Sequence, residues 1–204
     1  MPQVIGDMNN QPQKLNYTDS CLGVVLAGGQ SSRMGQDKAS LMRERISMLK
    51  FSQKILQDAG VQQVIVSEND KQNHAGVTDI IANAGPLGGI YSVLQKFQPK
   101  ALLILPVDLP LIDAKAIKAL KQAGELSNKA CFYQDAFLPI YLPNNAQLAL
   151  FFNNAFQNFS GKGPSIRSLL KQVPHKSLAI TNQQTLFNAN TPQDWQLAKN
   201  KFST

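Results

Sequence analysis

Three short apolar runs, residues 23–26, 61–67 and 101–105, are set apart by stretches of helical periodicity, and this arrangement constrains the fold most. Runs rich in Val, Ile and Leu that stop abruptly read as strands buried on both faces, the kind that belongs to a parallel sheet. Between the first two, Ile46, Leu49, Ile55, Leu56 and Ala59 fall on one side of a helix, and Gly60 is placed to end it. Strand, helix, strand in that order implies a right-handed βαβ unit. Residues 129–134 and 137–142, with a turn at Asp135, add a hairpin or an antiparallel part of the same sheet. Ile80-Ile81 is too short to count as a strand. The fold class is therefore α/β, Rossmann-like, with a mixed, mainly parallel twisted sheet and helices on both faces.

The ends of these strands carry the chemistry. The first stops at Gly28 and Gly29, whose backbone a ligand can approach closely, and Arg33 and Lys38 follow. Two cations beside a glycine loop suit a polyanion. The spacing fits neither a Walker A loop nor the dinucleotide fingerprint. The third strand is closed by Pro106-Val107-Asp108-Leu109-Pro110. A carboxylate at the end of a buried parallel strand sits where open α/β sheets bind ligands, and its hard oxygens suit Mg²⁺ on phosphates. The flanking prolines restrict the backbone on both sides of Asp108, while Asp113 is the better candidate to cap the next helix. Gly85-Pro86-Leu87-Gly88-Gly89 reads as a stiff turn that opens a helix carrying Tyr91, Val93, Leu94 and Phe97. Thr191, Pro192 and Asp194 form a helix start with a capping partner.

The net charge of +7 over 204 residues favours anionic partners, yet there is no long cationic run or basic patch interleaved with aromatics, which argues against nucleic acid. No apolar segment approaches the roughly 20 residues of a membrane span. Residues 1–20 have neither the basic start nor the apolar stretch of a secretory signal and are expected to form a mobile N-terminal tail, with residues 21–204 as one domain. Cys21 and Cys131 are too few for a disulfide framework, so a reduced, cytoplasmic setting is expected. His74 and His175 lack partners at zinc-ligand spacing, and no Gly-x-Ser-x-Gly elbow occurs.

The run Leu26-Ala27-Gly28-Gly29-Gln30-Ser31-Ser32-Arg33-Met34-Gly35-Gln36-Asp37-Lys38 resembles the signature of the molybdenum cofactor guanylyltransferases, within the nucleotidyltransferase superfamily. Relatives that use CTP more often carry Leu-Ala-Ala-Gly there. Residues 85–89 are similar to that family's Gly-Pro-Leu-Ala-Gly motif, residues 106–110 to its Pro-x-Asp-x-Pro motif, and residues 188–192 to its Asn-x-Asn-Thr-Pro motif. The resemblance implies a nucleotide-diphospho-sugar transferase-like fold, in one nucleotidyltransferase domain that moves GMP from GTP to the phosphate of molybdopterin cofactor and releases pyrophosphate. It implies catalytic roles for Arg33, Lys38 and Asp108, with Mg²⁺ held by Asp108. It implies GTP contacts from Leu26, Ala27, Gly28, Gly29, Lys38, Ser67, Asn83, Gly85, Pro86, Leu87 and Asp108.

The guanine contact falls on Asn83 in this register, and Asp79 is the nearest carboxylate that substitutes for it if the register slips. Arg167, Asn188 and Asn190 are the candidates for the second substrate, and Lys162 is either a further contact or a solvated turn residue. Partner proteins would be those that donate and accept the cofactor. Two departures stand out: Ser67 replaces a common Asn, and residues 41–46 lack the glycine that relatives place in the turn after the signature lysine. Two alternatives follow, a relative using another nucleotide such as CTP or another phosphorylated acceptor, and a GTP-binding relative without catalysis.

Overall fold

The computed structural model describes residues 20–28, 37–68, 76–81, 84–157, 159, 161 and 163–202. The strands are β1 (Cys21–Leu26), β2 (Met42–Arg43), β3 (Ile46–Ser47), β4 (Val64–Glu68), β5 (Val77–Thr78), β6 (Ala101–Pro106), β7 (Ala130–Tyr133), β8 (Ala136–Pro143) and β9 (His175–Leu178). The helices are α1 (Met48–Asp58), α2 (Pro86–Phe97), α3 (Ala114–Ser127), α4 (Ala146–Phe156), α5 (Ile166–Leu170) and α6 (Pro192–Lys199).

Seven strands form one sheet in the order β5-β4-β1-β6-β8-β7-β9. The first four run parallel, β8 is antiparallel to both β6 and β7, and β9 is parallel to β7. Side chains alternate across the central strands as the pleat requires. Leu22, Val24, Leu102 and Ile104 pack with α2, α4 and α5. Val25, Leu103 and Leu105 pack with α1, α3 and Trp195 of α6. Both faces are covered, which is why these strands are apolar runs and show no polar alternation.

Several local expectations shift. Ile46 lies in β3 and not on the first helix, because Ser47 caps that helix by accepting from the Lys50 N–H at 3.3 Å. The second strand starts at Val64, since residues 61–63 complete the turn after Gly60, whose φ is +85°. The edge strand is Val77–Thr78, upstream of the Ile80-Ile81 pair. The turn that lacks its glycine forms all the same. β2 and β3 pair as a short hairpin, Met42 with Ser47 and Arg43 with Ile46, and Glu44 takes φ +54° at its tip. A left-handed non-glycine residue costs on the order of 1 kcal/mol, small enough for the packing of α1 to absorb.

Asp113 caps α3 through a 2.7 Å bond from the Ala116 N–H, and Thr191 with Asp194 forms a reciprocal capping box on α6. Among the described residues no helix is long and apolar enough to cross a membrane.

Candidate active site

Because β1, β4, β5 and β6 are parallel, their C-terminal ends meet on one edge, and the loops that leave this edge carry most of the candidate residues. Backbone hydrogen bonds lace the strand ends together. The Ala27 and Gly28 N–H groups donate to the Ser67 carbonyl at 2.9 and 3.2 Å, and the Val107 N–H donates to the Leu26 carbonyl at 3.2 Å. Gly28 thus spends its N–H inside the fold. Gly29 and Arg33 lie outside the described residues, as do Asn83 and Lys162.

On the β6 side, Asp37 caps the short turn Lys38–Ser40 and so aims the lysine inward. The Lys38 ammonium sits 3.3 Å from Asp108 Oδ2 and donates to Asn190 Oδ1 at 2.6 Å. Asp108 itself is held from behind, since its carbonyl accepts the Ala189 N–H at 2.9 Å. Asn190 is fixed in turn, its N–H donating to Asp194 at 3.1 Å. The capping box therefore does two things: it starts α6 and it locates Asn190. Bonds from Thr191 and Asn190 hold the Asp194 carboxyl below its ordinary range. Lys38, Asp108 and Asn190, 152 residues apart at the extremes, form one cluster.

The other carboxylate oxygen, Asp108 Oδ1, is buried without a hydrogen-bond partner. Such an atom is costly unless something electropositive meets it. Among the described residues no group of three or more His, Cys, Asp or Glu gathers at one place. A single carboxylate still fits Mg²⁺, which keeps several waters and completes its shell with substrate phosphates.

On the β4 side lies a second carboxylate. Asp79 follows β5, and the Ser67 hydroxyl donates to its Oδ1 at 3.4 Å. Burial pushes the Asp79 carboxyl up from its usual range, and the Ser67 bond opposes that shift. Asp79 lies against the first turn of α2, where the helix dipole favours negative charge. Gly88 and Gly89 explain how it comes so close. A Cβ on Gly89 would fall on the Ser67 hydroxyl and within 3.2 Å of Asp79 Oδ1, and a Cβ on Gly88 would reach Ala84 Cβ at 2.7 Å.

Both glycines are buried, so they serve helix packing and offer no bed for a ring; Leu87 is wholly buried, backbone included. Gly85 and Pro86 are the exposed part of this motif, and Gly85 has φ +65° with ψ −159°, a combination essentially reserved to glycine.

The proposed second-substrate residues separate. Asn190 joins Lys38, and Asn188 is exposed just before Ala189. Arg167 is on α5, with its guanidinium 5.4 Å from the Phe137 ring centroid at the start of β8, the end of that strand that lies toward the C-terminal end of β6.

Residues 23–151 match the MobA-like NTP transferase domain. The chain belongs to this family. Within the MobA-like family it is 35% identical over 178 residues to the molybdenum cofactor guanylyltransferase of Xanthomonas euvesicatoria pv. vesicatoria, an alignment spanning 85% of this chain and 91% of that protein. The fold matches molybdopterin-guanine dinucleotide biosynthesis protein A from Archaeoglobus fulgidus with a TM-score of 0.72 at 19% identity, over 89% of this chain and 98% of that one. It also matches 2-C-methyl-D-erythritol 4-phosphate cytidylyltransferase from Thermus thermophilus, with a TM-score of 0.63 at 15% identity, over 92% and 100% of the two chains. Solved structures this distant speak for the fold alone, a nucleotide-diphospho-sugar transferase-like nucleotidyltransferase. That one fold carries different nucleotides puts the weight on site residues.

Proposed function

We propose that this MobA-like nucleotidyltransferase transfers GMP from GTP to the phosphate of molybdopterin cofactor, forming the guanine dinucleotide and pyrophosphate, with Asp108 as the ligand of Mg²⁺. The observation that carries the reading is Asp108 itself: one carboxylate oxygen is paired with Lys38 while the other is buried and unpartnered. A pterin phosphate oxygen forms a bond to the α-phosphorus of GTP, the bond from that phosphorus to the bridging oxygen breaks, and the electron pair leaves with pyrophosphate. No protein nucleophile is needed, so the task is positioning and charge stabilisation.

Mg²⁺ on Asp108, when bound, supplies Lewis-acid polarisation of the phosphoryl oxygens. Lys38 offsets the charge that builds on the departing pyrophosphate, and Asn190 keeps the ammonium in place. Arg33 and Gly29 are assigned to the triphosphate and Asn188 and Arg167 to the pterin side. Asp79, not Asn83, is assigned to the base. A carboxylate accepts from both the N1–H and the 2-amino group of guanine, whereas cytosine offers only its 4-amino donor on that edge. The free thiols of Cys21 and Cys131 suit a cytoplasmic setting.

The test supplies molybdopterin, Mg²⁺ and either GTP, CTP, ATP or UTP, and follows pyrophosphate and dinucleotide. Turnover with GTP alone, lost in Asp108→Ala, is the expected result. Turnover with CTP in its place, or binding of GTP without turnover, overturns the reading.

A further inference from the structure

We propose that Arg43 is a positioning residue for the Asp108 loop, acting from outside the site through the Pro110 carbonyl, with Phe202 near the C-terminus as its clamp. The inference rests on Asp108 being the cation's ligand. Arg43 Nε donates to the Pro110 carbonyl at 2.9 Å, two residues beyond Asp108. Its guanidinium carbon lies 4.3 Å from the Phe51 ring centroid and 4.7 Å from that of Phe202. Glu44 meets the guanidinium at 3.5 Å from the solvent side. Such a planar cation gains from aromatic faces while its fork is aimed at one acceptor, which a lysine cannot reproduce.

The connectivity gives this contact its purpose. Arg43 sits on β2, shortly after Lys38, so the lysine segment and the Asp108 loop are tied twice, at the site by Lys38 and Asp108 and outside it by Arg43 and Pro110. The inner tie is exchangeable. A triphosphate competes for the Lys38 ammonium, and the carboxylate then depends on its other restraints. Those restraints come from both ends of one helix. The residue before Asn190 holds the Asp108 carbonyl, and Phe202, beyond the end of α6 and packed 5.8 Å from Trp195, holds Arg43. The outer tie keeps the carboxylate aimed while the inner one changes partners.

The test measures Mn²⁺ half-saturation by electron paramagnetic resonance in the presence of a non-hydrolysable GTP analogue, together with metal-free affinity for that analogue. Arg43→Met is expected to raise the Mn²⁺ half-saturation about tenfold, as loss of an outer support of a metal ligand does. The metal-free nucleotide affinity is expected to stay unchanged, Arg43→Lys to be intermediate, and Phe202→Ala to move the same way by less. Phe202→Ala, which leaves the Arg43–Pro110 bond in place, carries the test should Arg43→Met not fold. Unchanged Mn²⁺ half-saturation, or metal-free nucleotide affinity falling in step with it, overturns the brace. A wild-type protein that takes up no Mn²⁺ with the nucleotide, or whose uptake survives Asp108→Ala, overturns the assignment of Asp108 and the brace with it.

Discussion

Asp79 and Asp108 follow parallel strands on the same edge of the same sheet, yet their surroundings give them different work. Asp108 has a cation on one oxygen and nothing on the other. Asp79 has, among the described residues, the Ser67 hydroxyl and the first turn of α2 beside it, and burial raises its pKa. On the proposed reading, the carboxylate beside an ammonium with one oxygen spare shares metal and phosphate charge. On the same reading, the desolvated carboxylate beside a hydroxyl accepts hydrogen bonds from the base. What the difference in neighbours teaches is that one residue type can be given two environments on one edge, and if the proposed roles hold, the two should fail in different kinetic parameters.

The largest effect is expected from Asp108→Ala, which should lower kcat by about a thousandfold while metal-free GTP binding persists, comparable to losing a main electrostatic group of a site. Equilibrium dialysis beside steady-state rates checks this. Lys38→Met should cost about a hundredfold in kcat/KM. If its loss instead changes nucleotide preference, the contrast between the two sides collapses.

Asp79→Asn should raise the KM for GTP about tenfold or more with kcat retained, because hydrogen bonds to a charged acceptor carry about 1.5–3 kcal/mol. The same variant should erase discrimination between GTP and ITP, which lacks the 2-amino donor. A pH series sharpens this point. The native pKa of Asp79 lies above the ordinary carboxylate range, so the acid form appears earlier on acidification than for an exposed aspartate. As pH falls through that raised value the group loses an acceptor and KM for GTP should climb. Protonation also removes the cost of burying the charge, so Asp79 gives no drive to acid unfolding in that window.

The smallest effect is expected from Thr191→Ala, which removes the cap of α6 and should cost about 1 kcal/mol, read as a drop of about 2–4 °C in Tm. A modest fall in kcat/KM for GTP should accompany it, because Asn190, which holds the Lys38 ammonium, is located by the same box.

Much of this was legible in the chain. The centres of the apolar runs and the helix caps at Asp113 and Thr191 are local features, encoded by side-chain periodicity and by restricted backbone, and the structure holds each of them. Asp79 was harder to see. β5 is two residues long and leaves no periodic signal, and only its pairing of Ser67 with Val77 and Glu68 with Thr78 brings Asp79 to the end of β4. The bond made by the Gly28 N–H was out of reach for a related reason. A glycine's openness to a ligand is visible in the sequence, but the destination of its N–H depended on where the Ser67 carbonyl came to lie.

The sequence by itself determined the layered α/β architecture, the edge on which the parallel strands end and the presence of a cation and a carboxylate there, because these follow from short-range patterns and backbone stiffness. Tertiary structure alone decided that Asn190 would steady Lys38, that Asp79 would face the α2 glycines and that Arg43 and Phe202 would brace Pro110. Each of these pairs residues far apart in the chain, whose distance is set by how helices pack on a sheet and by no local preference of the residues themselves.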